Sequence, residues 1–298
     1  MKHSPFLFAA ILSIYLTPVQ SSNGDIQEFN DYINTSISKA NIAGMSIAIV
    51  SGDSILFGNG YGYSDIKTKE PFTLETVMNI ASISKTFVGL ALMHLVEKGL
   101  IGLDDNVNNF LPFKVLNPHL PESIITPRHL MSHSSGIKDD QKVYLPSYHY
   151  GGDSPIPLGE FLADYLSPNG THYSKNNFTK SKPGGKFVYS NIGAGLAGYI
   201  VERVSGKPLN IFTREIIFKP LGMNNTCWFL SEMDRAKHSR LYESKKNNTL
   251  LDNIELYGLT TYPDGGVRTT VADLSRYLLC IMNKGLYKGT RILKEETV

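Results

Sequence analysis

The sequence predicts an α+β fold, an antiparallel sheet flanked by helices and joined to a mostly helical region. Three observations carry that expectation: two nearly all-apolar helical runs, one strong hairpin pattern, and an amphipathic helix towards each end. The first apolar run, Thr86 to Glu97, contains Phe87, Val88, Leu90, Ala91, Leu92, Met93, Leu95 and Val96. That is too continuous for a single stripe, so it reads as a buried helix, with Gly99 at its left-handed stop. The second, NIGAGLAGYIVERVSG, begins at Asn191 and is closed by Gly206.

The chain opens with MKHSPFLFAAILSIYLTPVQSS, a short basic start, an apolar run from Phe6 to Leu16, and Val19 and Ser21 at the spacing of a cleavage site. Residues 1–21 therefore read as a signal peptide, which places the mature protein outside the cytoplasm, secreted or periplasmic. Residues 22–298 read as one domain, mostly helical between roughly residues 76 and 225. Asp25 to Lys39 forms an amphipathic helix, with Ile26, Phe29, Ile33 and Ile37 on one face. MSIAIV and SILFGNGYGY, joined through Gly52 and Asp53, form the hairpin. Loops and short helices are expected from Ile101 to Pro220, and the Gly-, Pro-, Ser-, Asn- and Tyr-rich centre from Lys138 to Lys186 reads as a surface excursion. After PDGG, Thr270 and Asp273 make a capping arrangement for the last helix. One hairpin is little sheet for so many helices, and the final RILKEETV is a helix-forming string without a stop signal. The sequence is therefore expected to be cut short, with C-terminal strands missing.

A formal net charge of +2 over 298 residues leaves no basic footprint for nucleic acid, and the loose group Lys180, Lys182 and Lys186 does not supply one. The expected partner is a small molecule, a short peptide or an ester. No segment after the signal is apolar for long enough to span a membrane. Two cysteines, Cys227 and Cys280, do not make a disulfide scaffold. One bridge is open to them after export, but both sit in apolar surroundings and read as small buried hydrophobes. Sequons at Asn34, Asn169, Asn177, Asn224 and Asn247 permit glycosylation in a eukaryotic host.

SxxK occurs four times, starting at Ser36, Ser64, Ser82 and Ser135, and only Ser82 opens a buried helix. There the free N–H groups and the positive end of the helix dipole favour negative charge on the serine oxygen or on an attacked carbonyl. Lys85, three residues on, lies on the same helix face and can accept the serine proton during acyl transfer. Tyr189 and Asn191 stand at the start of the second buried helix. A phenol beside the lysine can relay a proton to a leaving group, and Asn191 can donate to a substrate carbonyl or hold Lys85 in place. A metal reading has little support. His129 and His133 are four apart, but Leu130 stands where the zincin pattern needs Glu, and His133 is better read as fixing a turn. There is no GxSxG elbow.

SxxK followed at a distance by YxN resembles the serine β-lactamase and penicillin-binding-protein superfamily, in particular its class C β-lactamase-related branch. RHLMSHSSGI, KFVYSNIGAGLAGYIVERVSGKPL, IFKPLGMNNT and PDGGVRTTVADLSRYL are similar to other segments of that family, in order and approximate spacing, from about Ile26 to the end. The resemblance implies a β-lactamase/transpeptidase-like fold and a serine hydrolase without metal or organic cofactor. It implies Ser82 as the acylated nucleophile, Lys85 as its proton acceptor, Tyr189 as the proton relay and Asn191 as a substrate-orienting side chain. The Ser82 N–H would be half of an oxyanion hole. The substrate class stays open among β-lactam, D-amino-acid peptide and ester. One departure stands out: no KTG or H-x-G follows Asn191, and the only H-x-G, His149 with Gly151, precedes it. The alternative is a secreted binding or scaffold relative that keeps the shape without turnover.

Overall fold

The computed structural model describes residues 23–244 and 250–298, apart from the side chains of residues 23 and 244–252. The signal peptide expected at residues 1–21 and the sequon residue Asn247 lie outside the described residues. Helix α1 (Asn23–Lys39) runs into the hairpin of β1 (Gly44–Ser51) and β2 (Ser54–Asp65). The turn has Gly52 at φ +59°, a backbone conformation that glycine adopts at little cost. The strands pair antiparallel from Ser51↔Ser54 to Gly44↔Gly62, with a bulge at Ile49/Val50. A two-residue strand, β3 (Glu70–Pro71), extends the sheet in the order β1-β2-β3.

Helices cover this sheet as expected. Phe29 of α1 meets Phe57 edge-on at 5.5 Å, and the Tyr61 hydroxyl donates to Asn30 at 2.6 Å. The last long helix, α8 (Val271–Met282), lies against β1. Further strands do exist but are short: β4 (Met78–Asn79) pairs with β9 (Arg268–Thr269), and β5 (Tyr148–Tyr150) pairs with β8 (Tyr257–Leu259). β6 (Leu241–Ser244) pairs with β7 (Leu250–Ile254).

The core lies between α2 (Ser84–Glu97) and α6 (Asn191–Ser205). Both helices are buried on most sides: Phe87, Leu92, Ile192, Leu196 and Ile200 are all sealed from solvent. Gly99 and Gly206 take φ +68° at the two C-terminal ends, as the sequence expects of helix stops. Between these helices lie α3 (Pro127–Met131), α4 (Gln141–Tyr144) and α5 (Leu158–Leu166). After them come α7 (Leu209–Thr213) and α8 (Val271–Met282), the latter capped by Thr270 Oγ1 on the Asp273 N–H at 3.1 Å.

Two expectations need correction. The stretch from Lys138 to Lys186 is not merely a surface excursion, because Tyr144, Leu158, Leu162, Tyr165, Leu166 and Phe178 are buried in the main core. Leu158, Leu162, Tyr165 and Leu166 fall on one face of α5, a short helical period masked by the polar sequence around it. The final RILKEETV is not a helix. Leu286–Tyr287 (β10) pairs with Thr290–Arg291 (β11), Ile292 and Leu293 are buried, and only Glu295–Thr297 turn as 3₁₀ helix. Tertiary burial of two apolar side chains outweighs weak helix propensity here.

Candidate active site

Ser82 sits in a 3₁₀ turn (Ala81–Ile83) immediately before α2, one turn earlier than the regular helix begins. The preceding Ala81 has φ +46°, a left-handed conformation that costs a non-glycine residue about 1 kcal/mol or more. The turn is clamped from the far end of the chain. Ile80 N–H donates to the Val267 carbonyl at 3.1 Å, Val267 N–H to Ser84 Oγ at 3.0 Å, and Asn79 pairs with Arg268. Ser82 is exposed, whereas Lys85, one turn further in, is buried.

The four residues singled out from the sequence converge. Lys85 Nζ donates to Ser82 Oγ at 3.0 Å and to Asn191 Oδ1 at 2.8 Å, and Tyr189 Oη donates to Ser82 Oγ at 2.8 Å. The ammonium also lies 5.0 Å from the centre of the Tyr189 ring. Of the two roles open to Asn191, holding Lys85 is the contact made. Among the described residues, no other SxxK serine is bonded to its lysine: Ser64 Oγ donates to the Glu70 carbonyl, and Ser135 Oγ accepts from Ile137 N–H. His149 of the misplaced H-x-G is spent on Thr260 Oγ1, at 2.9 Å in the β5–β8 ribbon.

Three further residues belong to this site. Asp139 caps α6: its carboxylate accepts from Ser190 Oγ at 2.8 Å, Asn191 N–H at 2.8 Å and Ile192 N–H at 3.1 Å. A carboxylate at a helix N-terminus satisfies orphan donors and meets the positive dipole end. His133 does fix a turn. At φ +51°, its Nδ1 accepts from Ser190 N–H at 3.2 Å and its ring lies 4.4 Å from that of Tyr189. Burial, with the Lys85 charge second, holds its pKa below the ordinary value, so the ring stays neutral. Asp264 gives its backbone carbonyl to Lys85 Nζ at 2.5 Å. Asp139 was indistinguishable in sequence from its acidic neighbour Asp140, and Asp264 contributes a backbone atom that no residue type announces. His133 alone carried a signal, inside RHLMSHSSGI.

Chemically, an exposed alcohol touches one amine and one phenol, and the amine is held by three oxygens. Among the described residues no cluster of His, Cys, Asp and Glu is arranged to hold a metal ion. Cys227 and Cys280 are buried free thiols, with burial raising them to about 12 and about 11. No described helix is long and apolar enough to cross a membrane.

Comparison with known proteins points to the superfamily that the sequence resembles. The chain is 28% identical to Protein flp of Staphylococcus aureus (strain NCTC 8325 / PS 47) over 263 residues, 88% of this chain and 50% of that protein. It is 29% identical to Penicillin-binding protein 4* of Bacillus subtilis (strain 168) over 261 residues, 84% of this chain and 53% of that protein. The chain thus spans about half the length of the curated relatives it matches. Among solved structures, the octameric penicillin-binding protein homologue from Pyrococcus abyssi superposes with a TM-score of 0.75 at 30% identity, covering 92% of this chain and 59% of that one. The family profile named Beta-lactamase matches residues 25–298, and with the β-lactamase-like mixture of helices and small antiparallel sheets it shows that this chain belongs to the Beta-lactamase family.

Proposed function

We propose that the protein is a serine hydrolase that works through an acyl-enzyme on Ser82. The observation that carries this reading is the single hydroxyl within hydrogen-bond reach of both an amine and a phenol, 3.0 Å from Lys85 Nζ and 2.8 Å from Tyr189 Oη. Ser82 Oγ attacks a carbonyl carbon, and its proton passes to Lys85 as a neutral amine. The carbonyl oxygen takes the negative charge beside the Ser82 N–H at the helix start. Collapse of the tetrahedral intermediate breaks the bond to the leaving group, which takes its proton through Tyr189. The Tyr189 phenolate left behind takes a proton from water, the resulting hydroxide cleaves the ester, and Ser82 regains its proton from the Lys85 ammonium. Asn191 holds Lys85 and faces the substrate.

The substrate is a small molecule or short peptide with an amide, lactam or ester carbonyl. The Tyr at position 189 supports a reading within the class C-related branch, where a tyrosine activates the deacylating water. Residues 1–21, read as a signal peptide, support an activity outside the cytoplasm. A fluorophosphonate and a fluorescent penicillin test the reading on the folded 298-residue chain. Covalent mass on the Ser82 peptide, abolished in Ser82→Ala, is the expected result. One rival is a binding relative that keeps the shape without turnover. A folded chain that neither reagent labels would establish that rival and remove the hydrolase.

A further inference from the structure

The Asp264 carbonyl anchors Lys85, but the Asp264 side chain is a second and separate feature. Its carboxyl lies in the short turn Tyr262–Asp264, and the residue is 2% exposed. Oδ1 accepts from Tyr144 Oη at 3.2 Å, and Oδ2 has no hydrogen-bond partner. A buried carboxylate with one neutral donor and one bare oxygen is a costly charge, whereas the protonated acid is not. Burial accordingly raises the Asp264 pKa to about 7, aided by the Asp139 charge and opposed by Thr261, Lys85 and Tyr144. The groups facing it are Lys85 from α2, Tyr144 from α4, Tyr148 from β5 and Asp139 from the loop before α4. On α6, Glu202 is occupied by the Tyr262 hydroxyl and the Leu209 N–H.

We infer that the Asp264 carboxyl is a positioning residue that acts on Lys85 through charge, permitting proton uptake from Ser82 as the neutral acid and opposing it as the carboxylate. This rests on the hydrolase reading above. With the acid protonated, Lys85 Nζ meets only uncharged oxygens, those of Ser82, Asn191 and the Asp264 backbone. Its free amine can then receive the Ser82 proton. Loss of the carboxyl proton to solvent leaves a buried negative charge beside Lys85, which holds it as an ammonium with no lone pair to offer. Once the carboxylate and ammonium dominate, the fraction with a free amine beside a neutral acid no longer grows with pH.

The test is the pH profile of Ser82 labelling by a fluorophosphonate, each protein normalised to its own rate at about pH 6. The wild type flattens above neutrality, while Asp264→Asn, which cannot ionise, keeps rising and leads by about tenfold at about pH 8.5. Tyr144→Phe removes the hydroxyl that donates to Asp264 Oδ1 and moves the flattening to higher pH. Superimposable profiles for all three proteins would overturn the inference. Infrared spectroscopy gives a readout that needs no turnover: a protonated-carboxyl band, absent in Asp264→Asn, that fades as pH rises through about 7. A carboxyl already ionised at about pH 5 would also overturn it. Folded wild type that resists labelling at every pH, with that band present, marks failure of the hydrolase reading, and the gate falls with it.

Discussion

At the scale of single residues, the site depends on side chains that stand behind Ser82, Lys85, Tyr189 and Asn191. Asp139 takes three bonds from the first residues of α6, and those residues carry Tyr189 and Asn191 to Ser82 and Lys85. Asp139→Ala leaves two backbone N–H groups and the Ser190 hydroxyl without that acceptor. We expect a loss of about 1–3 kcal/mol, read as a lower denaturant midpoint at unchanged slope. Ser82→Ala should leave that midpoint within about 0.5 kcal/mol, because an exposed hydroxyl supports little of the fold, while labelling is lost. Ser82, Lys85, Tyr189 and Asn191 were legible because each pair opens a helix whose apolar run is visible in the sequence. Asp139, the Asp264 carbonyl and the orphaned Asp264 oxygen were not. They act through contacts between segments, and local spacing carries no trace of those.

At the scale of elements, the site is held by the fit of α6 against the turn that bears Asp264. A Cβ on Gly198 would stand 2.4 Å from Pro263 Cβ and 2.5 Å from its Cγ, so only glycine lets the helix come this close. Gly198→Ala should push the turn outward, costing about 1–3 kcal/mol through overpacking. It should also slow Ser82 labelling, since the displaced turn carries the Lys85 anchor. The same substitution at Gly152, where nothing lies within 4 Å of a built Cβ, is the control. The long elements were readable in advance: α1, the β1–β2 hairpin, α2, α6 and α8 declare themselves by period and by their stop or cap residues. The two-residue strands were not, because β4 and β9 exist only through pairing between residues 79 and 268, and two residues cannot show a period. α5 was hidden for a related reason, as one apolar face of nine residues inside a polar stretch.

For the whole molecule, two buried groups set opposing pH dependences. His238 is 6% exposed, with Nδ1 2.7 Å from the Ser239 carbonyl and Nε2 2.8 Å from Asn79 Oδ1, and burial lowers its pKa from 6.5 to about 4. Between those values the unfolded chain binds a proton that the folded chain refuses, so stability falls as pH falls, by on the order of 3 kcal/mol. Asp264, raised from 3.8 to about 7, does the reverse: the folded chain holds the extra proton, and stability falls as pH rises across that window. The two terms have similar size and opposite sign, so the wild type should be flatter over this range than either variant. Urea unfolding at a series of pH values should show Asp264→Asn losing stability towards acid and His238→Gln losing it towards neutrality. Equal slopes in all three proteins would contradict the opposition.

The bond from Lys85 to Asn191 spans 106 positions and that from Lys85 to the Asp264 carbonyl spans 179, so a fragment or half-formed intermediate lacking any of these regions cannot assemble the cluster around Ser82. A dye that reacts covalently at Ser82 would therefore count intact copies. In an expression culture or a heated sample, its fluorescence would measure how much of the protein has reached its native form.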